Sequence, residues 1–94
     1  LFDNPLGIEP VAGNSGYQWL LYPNPAAEVL HLRGDYTGML SVRIYDLTGR
    51  VVLRQEIQGQ DGNIDVSALR PGLFLVNIYD HVGQRLATVK VQKE

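Results

Sequence analysis

No cysteine occurs anywhere in the 94 residues, which excludes a disulfide scaffold and any thiolate metal site. Histidine is scarce. His31 and His81 are the only two, and neither has a second His or a carboxylate at metal-ligand spacing. There is no excess of positive charge, since eight Lys and Arg face ten Asp and Glu and the net charge is -2. Nucleic-acid binding by counterion release therefore has no electrostatic basis, and no nucleic-acid partner is expected. No apolar run approaches membrane-spanning length; the longest near the C-terminus is Leu73-Phe74-Leu75-Val76. A helix-length 3.6-residue period is missing too, and with it any Gly-rich phosphate loop feeding a helix.

Catalytic patterns are equally lacking. Ser15, Ser41 and Ser67 stand outside a G-x-S-x-G context, Asp61 and Asp65 are too sparse for a calcium loop, and Asp46 and Asp80 are accounted for by turns. The chain is read as non-catalytic, without cofactor or metal. The opening Leu1-Phe2-Asp3-Asn4-Pro5 has no initiator Met and no signal-type apolar stretch, so the chain reads as a piece of a larger protein.

At 45% hydrophobic and 19% charged residues, what is present suffices for one folded domain and no more. Its strongest feature occurs twice. Val42-Arg43-Ile44-Tyr45-Asp46-Leu47-Thr48-Gly49-Arg50 is answered by Val76-Asn77-Ile78-Tyr79-Asp80-His81-Val82-Gly83-Gln84, both reading V-x-I-Y-D-x-x-G-x and both followed by a further apolar stretch. Val, Ile and Tyr suit a pleated, half-buried surface. Asp46 and Asp80 open a turn, and Gly49 and Gly83 supply the positive φ of a type I turn with a G1 bulge. These are two β-hairpins, one recipe used twice. In the first, simple pairing around the turn sets Ile44 opposite Val52, although Leu53 carries the matching apolar face. A bulge further along the ladder would reconcile them.

Residues 1–19 hold Pro5, Gly7, Pro10, Gly13, Asn14, Ser15 and Gly16 and read as a linker or the tail of a preceding domain, with residues 20–94 as the domain proper. Tyr22-Pro23-Asn24-Pro25 predicts a rigid, extended and turned segment. Glu28–Leu32 reads as a strand with Leu30 and Leu32 on one face and Val29 and His31 on the other. Arg33–Gly38 reads as a turn-rich connection, Gln58–Asn63 as a polar loop and Ile64–Val66 as a short strand. Ser67–Arg70 reads as one helical or 3₁₀ turn, and Pro71-Gly72 as the centre of a type II turn. About seven short strands with turn signals between them argue an all-β, immunoglobulin-like antiparallel sandwich.

Two binding patterns are present but weak. Arg33-Gly34-Asp35 spells an adhesion tripeptide, for which a flexible loop and an exposed Arg33 are required. Tyr22, Tyr36, Tyr45, Phe74 and Tyr79 offer the material of a carbohydrate-stacking platform, although core packing is their ordinary role. A strand through Leu86–Val91 runs almost to Glu94, which holds the terminus at one place. Lys90 and Lys93 on it serve as solubilising charge at an edge or as a recognition handle.

Taken in order and spacing, Leu21-Tyr22-Pro23-Asn24-Pro25, Val29–Leu32, Val42–Val52, Ile64–Val76, the Gly83 turn and the Lys90-containing last strand resemble the C-terminal sorting domain of the type IX secretion system of Gram-negative bacteria, in its type A form. Phe74 stands where that family commonly has Tyr. The resemblance implies a targeting role: export to the periplasm, recognition by the outer-membrane translocon, cleavage by a cell-surface sortase and attachment to anionic lipopolysaccharide, with the parent protein ending at the cell surface or outside it. By that analogy the cut falls within residues 1–19, where Gly13-Asn14-Ser15-Gly16 is the most accessible stretch. Because a folded signal must present a shape, the terminal hairpin from Gly83 to Glu94 is expected to be what the translocon reads, partly by strand addition at its edge, with Gly83, Lys90, Val91, Gln92, Lys93 and Glu94 as its residues. The structural landmarks of the resemblance are Tyr22, Pro23, Asn24, Pro25, Asp46, Gly49, Pro71, Gly72 and Asp80. The competing reading is a sandwich binding module for carbohydrate or a receptor. A stop codon after Glu94 in the parent reading frame would favour sorting, because a binding module sits anywhere in its chain.

Overall fold

Alternation of apolar and polar side chains builds two four-stranded antiparallel sheets that face each other. The computed structural model describes residues 9–11 and 19–94. The strands are β1 (Glu9–Val11), β2 (Trp19–Tyr22), β3 (Val29–Gly34), β4 (Met39–Tyr45), β5 (Val51–Gln58), β6 (Asp61–Asp65), β7 (Gly72–Tyr79) and β8 (Arg85–Lys93). One sheet has the order β1-β2-β3-β6 and the other β5-β4-β7-β8. Equating β2, β3 and β6 with strands A, B and E, and β4, β5, β7 and β8 with C, C′, F and G, gives immunoglobulin-like connectivity. The expected all-β sandwich is what the chain forms. The eighth strand is β1, which lies inside the stretch read as linker and pairs with β2, Val11 opposite Trp19.

Inward residues of both sheets make one core. Trp19, Leu21, Leu30, Leu32 and Ile64 enter from the first sheet, and Leu40, Val42, Ile44, Val76, Ile78, Val89 and Val91 from the second. The register puzzle of the first hairpin resolves as a bulge. Ile44 pairs with Leu53 and Tyr45 with Val51, so Val52 is the extra residue. The second hairpin repeats this, with Ile78 opposite Ala87 and Tyr79 opposite Arg85.

The two hairpins are also neighbours. β4 pairs with β7 antiparallel, with Arg43 opposite Asn77, Val42 opposite Ile78 and Ile44 opposite Val76. Arg43 and Asn77 occupy the same position of the repeated V-x-I-Y-D sequence. A local two-fold axis therefore passes between them, relating β4-β5 to β7-β8 and placing the two Asp turns at opposite ends of the sheet.

Three local expectations are corrected. Arg33 and Gly34 are not a loop: they belong to β3, paired with Leu20 and Trp19 on one side, and Arg33 faces Asp61 on the other. β6 begins at Asp61 rather than Ile64, because Gly62 is buried where a Cβ would lie 2.7 Å from that of Ile57, and a bare backbone lets the strand start there. Pro71-Gly72 is not a type II turn, for Gly72 has a φ of 147° and already starts β7. The preceding Val66–Leu69 stretch is a single turn closed by the Leu69 N–H donating to the Val66 carbonyl at 3.0 Å.

Candidate functional site

The Tyr22–Ala26 segment and the last strand are joined across the whole length of the chain. Pro23 and Pro25 have no backbone N–H, so after Tyr22 the backbone of this segment can donate only through Asn24 and Ala26. The Tyr22–Pro23 and Asn24–Pro25 peptides are both cis. The Asn24 Oδ1 accepts the Gln92 N–H at 3.0 Å, and the Asn24 Nδ2 reaches the Lys90 carbonyl at 3.4 Å. The Ala26 N–H donates to the Gln92 carbonyl, and the Ala26 carbonyl accepts the Glu94 N–H, each at 2.8 Å. This clasp covers the outer edge of β8 at its end, opposite the edge that pairs with β7. Tyr22, at the start of the segment, stacks on His31 with ring centroids 5.2 Å apart, and the His31 Nδ1 lies 2.6 Å from the Asn63 Oδ1.

Replacing Asn24 with alanine removes the side-chain acceptor of the Gln92 amide. The expected cost is about 1 kcal/mol, the usual net worth of one such bond. Amide exchange at Gln92 should speed up while that of Val89, inside the β7-β8 ladder, stays as it was. Unchanged exchange at Gln92 would show that Ala26 alone holds the strand end.

The residues expected to be read on β8 divide by face. Lys90, Gln92 and Glu94 are exposed, whereas Val91 and Lys93 point inward and are buried, Lys93 retaining 9% of its surface. The Lys93 ammonium reaches the Glu94 carbonyl at 3.2 Å. Gly83 lies at the opposite end of β8, in the hairpin turn. Most of the other landmarks gather near Glu94. Gly72 pairs with Lys93, and Asp46, Arg50, Pro71 and Phe74 line one open groove at that end. Gly13–Gly16, the expected cleavage region, lies outside the described residues.

Both Asp turns have the expected geometry. The Gly49 N–H donates to the Asp46 carbonyl at 3.0 Å and the Asp46 N–H to the Arg50 carbonyl at 2.9 Å; Asp80, Gly83 and Gln84 repeat the pattern. Gly49 and Gly83 have φ values of 89° and 88°. The Asp46 Oδ1 accepts from the Thr48 hydroxyl, the Thr48 amide and the Arg50 amide. Those donors, led by the Thr48 hydroxyl, hold the Asp46 carboxyl below the ordinary carboxylate range. The Ser67 hydroxyl and amide do the same for Asp65.

The aromatic residues separate. Tyr36 and Phe74 are core, Tyr22 lies on the first sheet, and Tyr45 and Tyr79 share the outer face of the second. There the Tyr45 and Tyr79 hydroxyls are 3.4 Å apart, the Asn77 Nδ2 donates to the Tyr79 hydroxyl at 3.0 Å, and the Thr88 hydroxyl donates to the Asn77 Oδ1 at 2.8 Å. Contact with the Tyr79 hydroxyl, followed by that with Arg43, lowers the Tyr45 phenol from its ordinary value. Sequence reasoning missed this row. Tyr45 and Tyr79 are equivalent residues of the repeat, and only the pairing of β4 with β7 brings them together. Among the described residues no group of His, Cys, Asp or Glu is placed to hold a metal ion, and no helix is long and apolar enough to cross a membrane.

Comparison with known proteins adds two findings. Residues 20–93 match the family described as "Secretion system C-terminal sorting domain". Over 83 residues the chain is 34% identical to beta-agarase D of Zobellia galactanivorans, an alignment that covers 87% of this chain and 16% of that protein. No solved structure matches the chain.

Proposed function

We propose a specific sorting role for this chain, which belongs to the family of secretion-system C-terminal sorting domains. On this reading it is a non-catalytic folded signal that carries a longer parent protein from the periplasm through the outer-membrane type IX translocon to the cell surface. A sortase then cuts near Gly13–Gly16 and joins the parent protein to anionic lipopolysaccharide. The relationship to a tail-sized portion of a beta-agarase supports a parent much longer than this domain. The observation that carries the reading is the family match over residues 20–93, which spans every landmark from Tyr22 to Lys93.

A folded signal must present a shape, and the clasp supports that. Ala26 and Asn24 already occupy the outer edge of β8 at Gln92 and Glu94. By the alternation of a strand, the next outward groups of that edge are those of Thr88 and the Lys90 N–H. Among the described residues none of these is hydrogen-bonded there, and on this reading the translocon adds its strand at that stretch. Lys90, Gln92 and Glu94 present their side chains beside it, and Gly83 fixes the far turn.

The test is to delete residues 20–94 from the parent protein in its own host and to measure the surface fraction by protease shaving of intact cells. The parent protein should then accumulate in the periplasm. Undiminished surface delivery would refute a sorting role.

A further inference from the structure

The outer face of the β5-β4-β7-β8 sheet concentrates charge of one sign in a chain whose net charge is of the other. Four of the eight basic residues, Arg43, Arg54, Arg85 and Lys90, lie on it, opposed by the single strand carboxylate Glu56. The Asp46 and Asp80 carboxylates sit at its two ends with one oxygen each engaged by turn amides. The corresponding face of the other sheet carries Arg33 against Asp61 and Asp65.

Arg43 and Arg54 are direct cross-strand partners. Like charges placed opposite each other weaken a sheet. Among the described residues the one ion pair is Arg50 with Asp46, in the turn, so neither guanidinium of the cross-strand pair has a carboxylate. Arg43 is nevertheless fixed, its guanidinium 4.6 Å from the centroid of the Tyr79 ring, and the Thr88–Asn77–Tyr79–Tyr45 row is held by its own hydrogen bonds. Beside this row Leu73 and Leu75 are 41% and 37% exposed. Tyr, Arg and apolar side chains around a fixed centre are the composition of a protein interface. A sugar platform fits less well, because Arg43 already covers the Tyr79 ring.

We infer that the outer face of β4 and β7 is the docking surface for a folded protein partner that sets carboxylates against Arg43 and Arg54 and an apolar side chain against Leu73 and Leu75. This rests on the sorting reading and names the face by which that reading would operate; the strand edge of β8 adjoins it.

The experiment uses the full parent protein in its host, comparing Arg43→Glu/Arg54→Glu, Arg54→Glu alone, Arg43→Lys/Arg54→Lys and the opposite-sheet control Arg33→Glu. Both Glu variants should lower the surface fraction, the double variant by about tenfold or more, since a reversed charge in a complementary interface repels. Arg33→Glu should be delivered within about twofold of the unaltered protein, because it leaves this face cationic. The Lys pair should be delivered better than the Glu pair, because it keeps the charge while losing the stacked guanidinium; a Lys pair as poorly delivered as the Glu pair would overturn the charge assignment. Arg54 is exposed, so Arg54→Glu gives an answer even if the double variant fails to fold. Normal delivery of Arg54→Glu overturns the proposal, as does an equal loss with Arg33→Glu. Normal delivery of the double variant with lost retention on immobilised dextran sulfate would assign the face to a polyanionic glycan and overturn it as well. Delivery that survives removal of residues 20–94 would instead bring down the sorting reading, and this proposal with it.

Discussion

Replacing Trp19 with alanine is expected to lower stability by about 3–5 kcal/mol, the range for deleting a large buried aromatic side chain. Trp19 is 2% exposed and lies with its ring centroid 6.0 Å from that of Tyr36. A domain of this size is stabilised by only about 5–10 kcal/mol in total, so the variant should be marginal at 37 °C. The mechanism is loss of transfer free energy together with a cavity that paired strands cannot collapse to fill. Denaturation followed by far-UV circular dichroism measures it, since Trp19 is the only tryptophan and fluorescence is lost with it. A loss under about 1 kcal/mol would mean that the surrounding core closes over the gap, contrary to the partial relaxation usual in close-packed interiors.

Gly59→Ala should be nearly as damaging, for the opposite reason. A Cβ there would stand 2.6 Å from the Tyr36 carbonyl oxygen and 2.8 Å from its ring. The nearest obstacle is backbone, and it cannot swing aside as a side-chain tip would. The Gly59 N–H donates to the Gly38 carbonyl at 2.9 Å, which pins the two segments together. Overpacking of this kind costs about 1–3 kcal/mol, and the fixed backbone places Gly59→Ala at or above the top of that range. Gly49→Ala makes the comparison informative. Nothing lies within 4 Å of its Cβ, so its penalty is only the positive φ, about 1–2 kcal/mol. Chemical denaturation of both variants should rank Gly59→Ala as the less stable, and the reverse order would show that the Tyr36 segment yields. Trp19 and Gly59 both touch Tyr36, so the two substitutions should be non-additive when combined.

Several features needed no coordinates because their causes are local. The Asp-x-x-Gly turns follow from one side chain that can bond amides ahead of it and one residue that tolerates positive φ. The inward set Leu30, Leu32, Val42 and Ile44 follows from the two-residue period of a strand. The bulge was legible as a conflict between turn geometry and the apolar face of β5, since a one-residue shift exchanges the faces of a strand. The tripeptide Arg33-Gly34-Asp35 misled for the same local reason. Those residue types are common in turns, but Arg33 has strand neighbours on both sides and Gly34 pairs with Trp19.

The sequence by itself determined the fold class, the two hairpins and their turns, and, through the order of its short motifs, the family. Each of these is written in neighbouring residues, in periods of two and in turns of four. The tertiary structure alone decided that Asn24 and Ala26 clasp Gln92 and Glu94, and that Arg43, Arg54, Tyr45 and Tyr79 share one face. Those arrangements depend on which strands become neighbours and in what register. Long-range pairing sets both, through the burial of a shared core, and no local pattern records it.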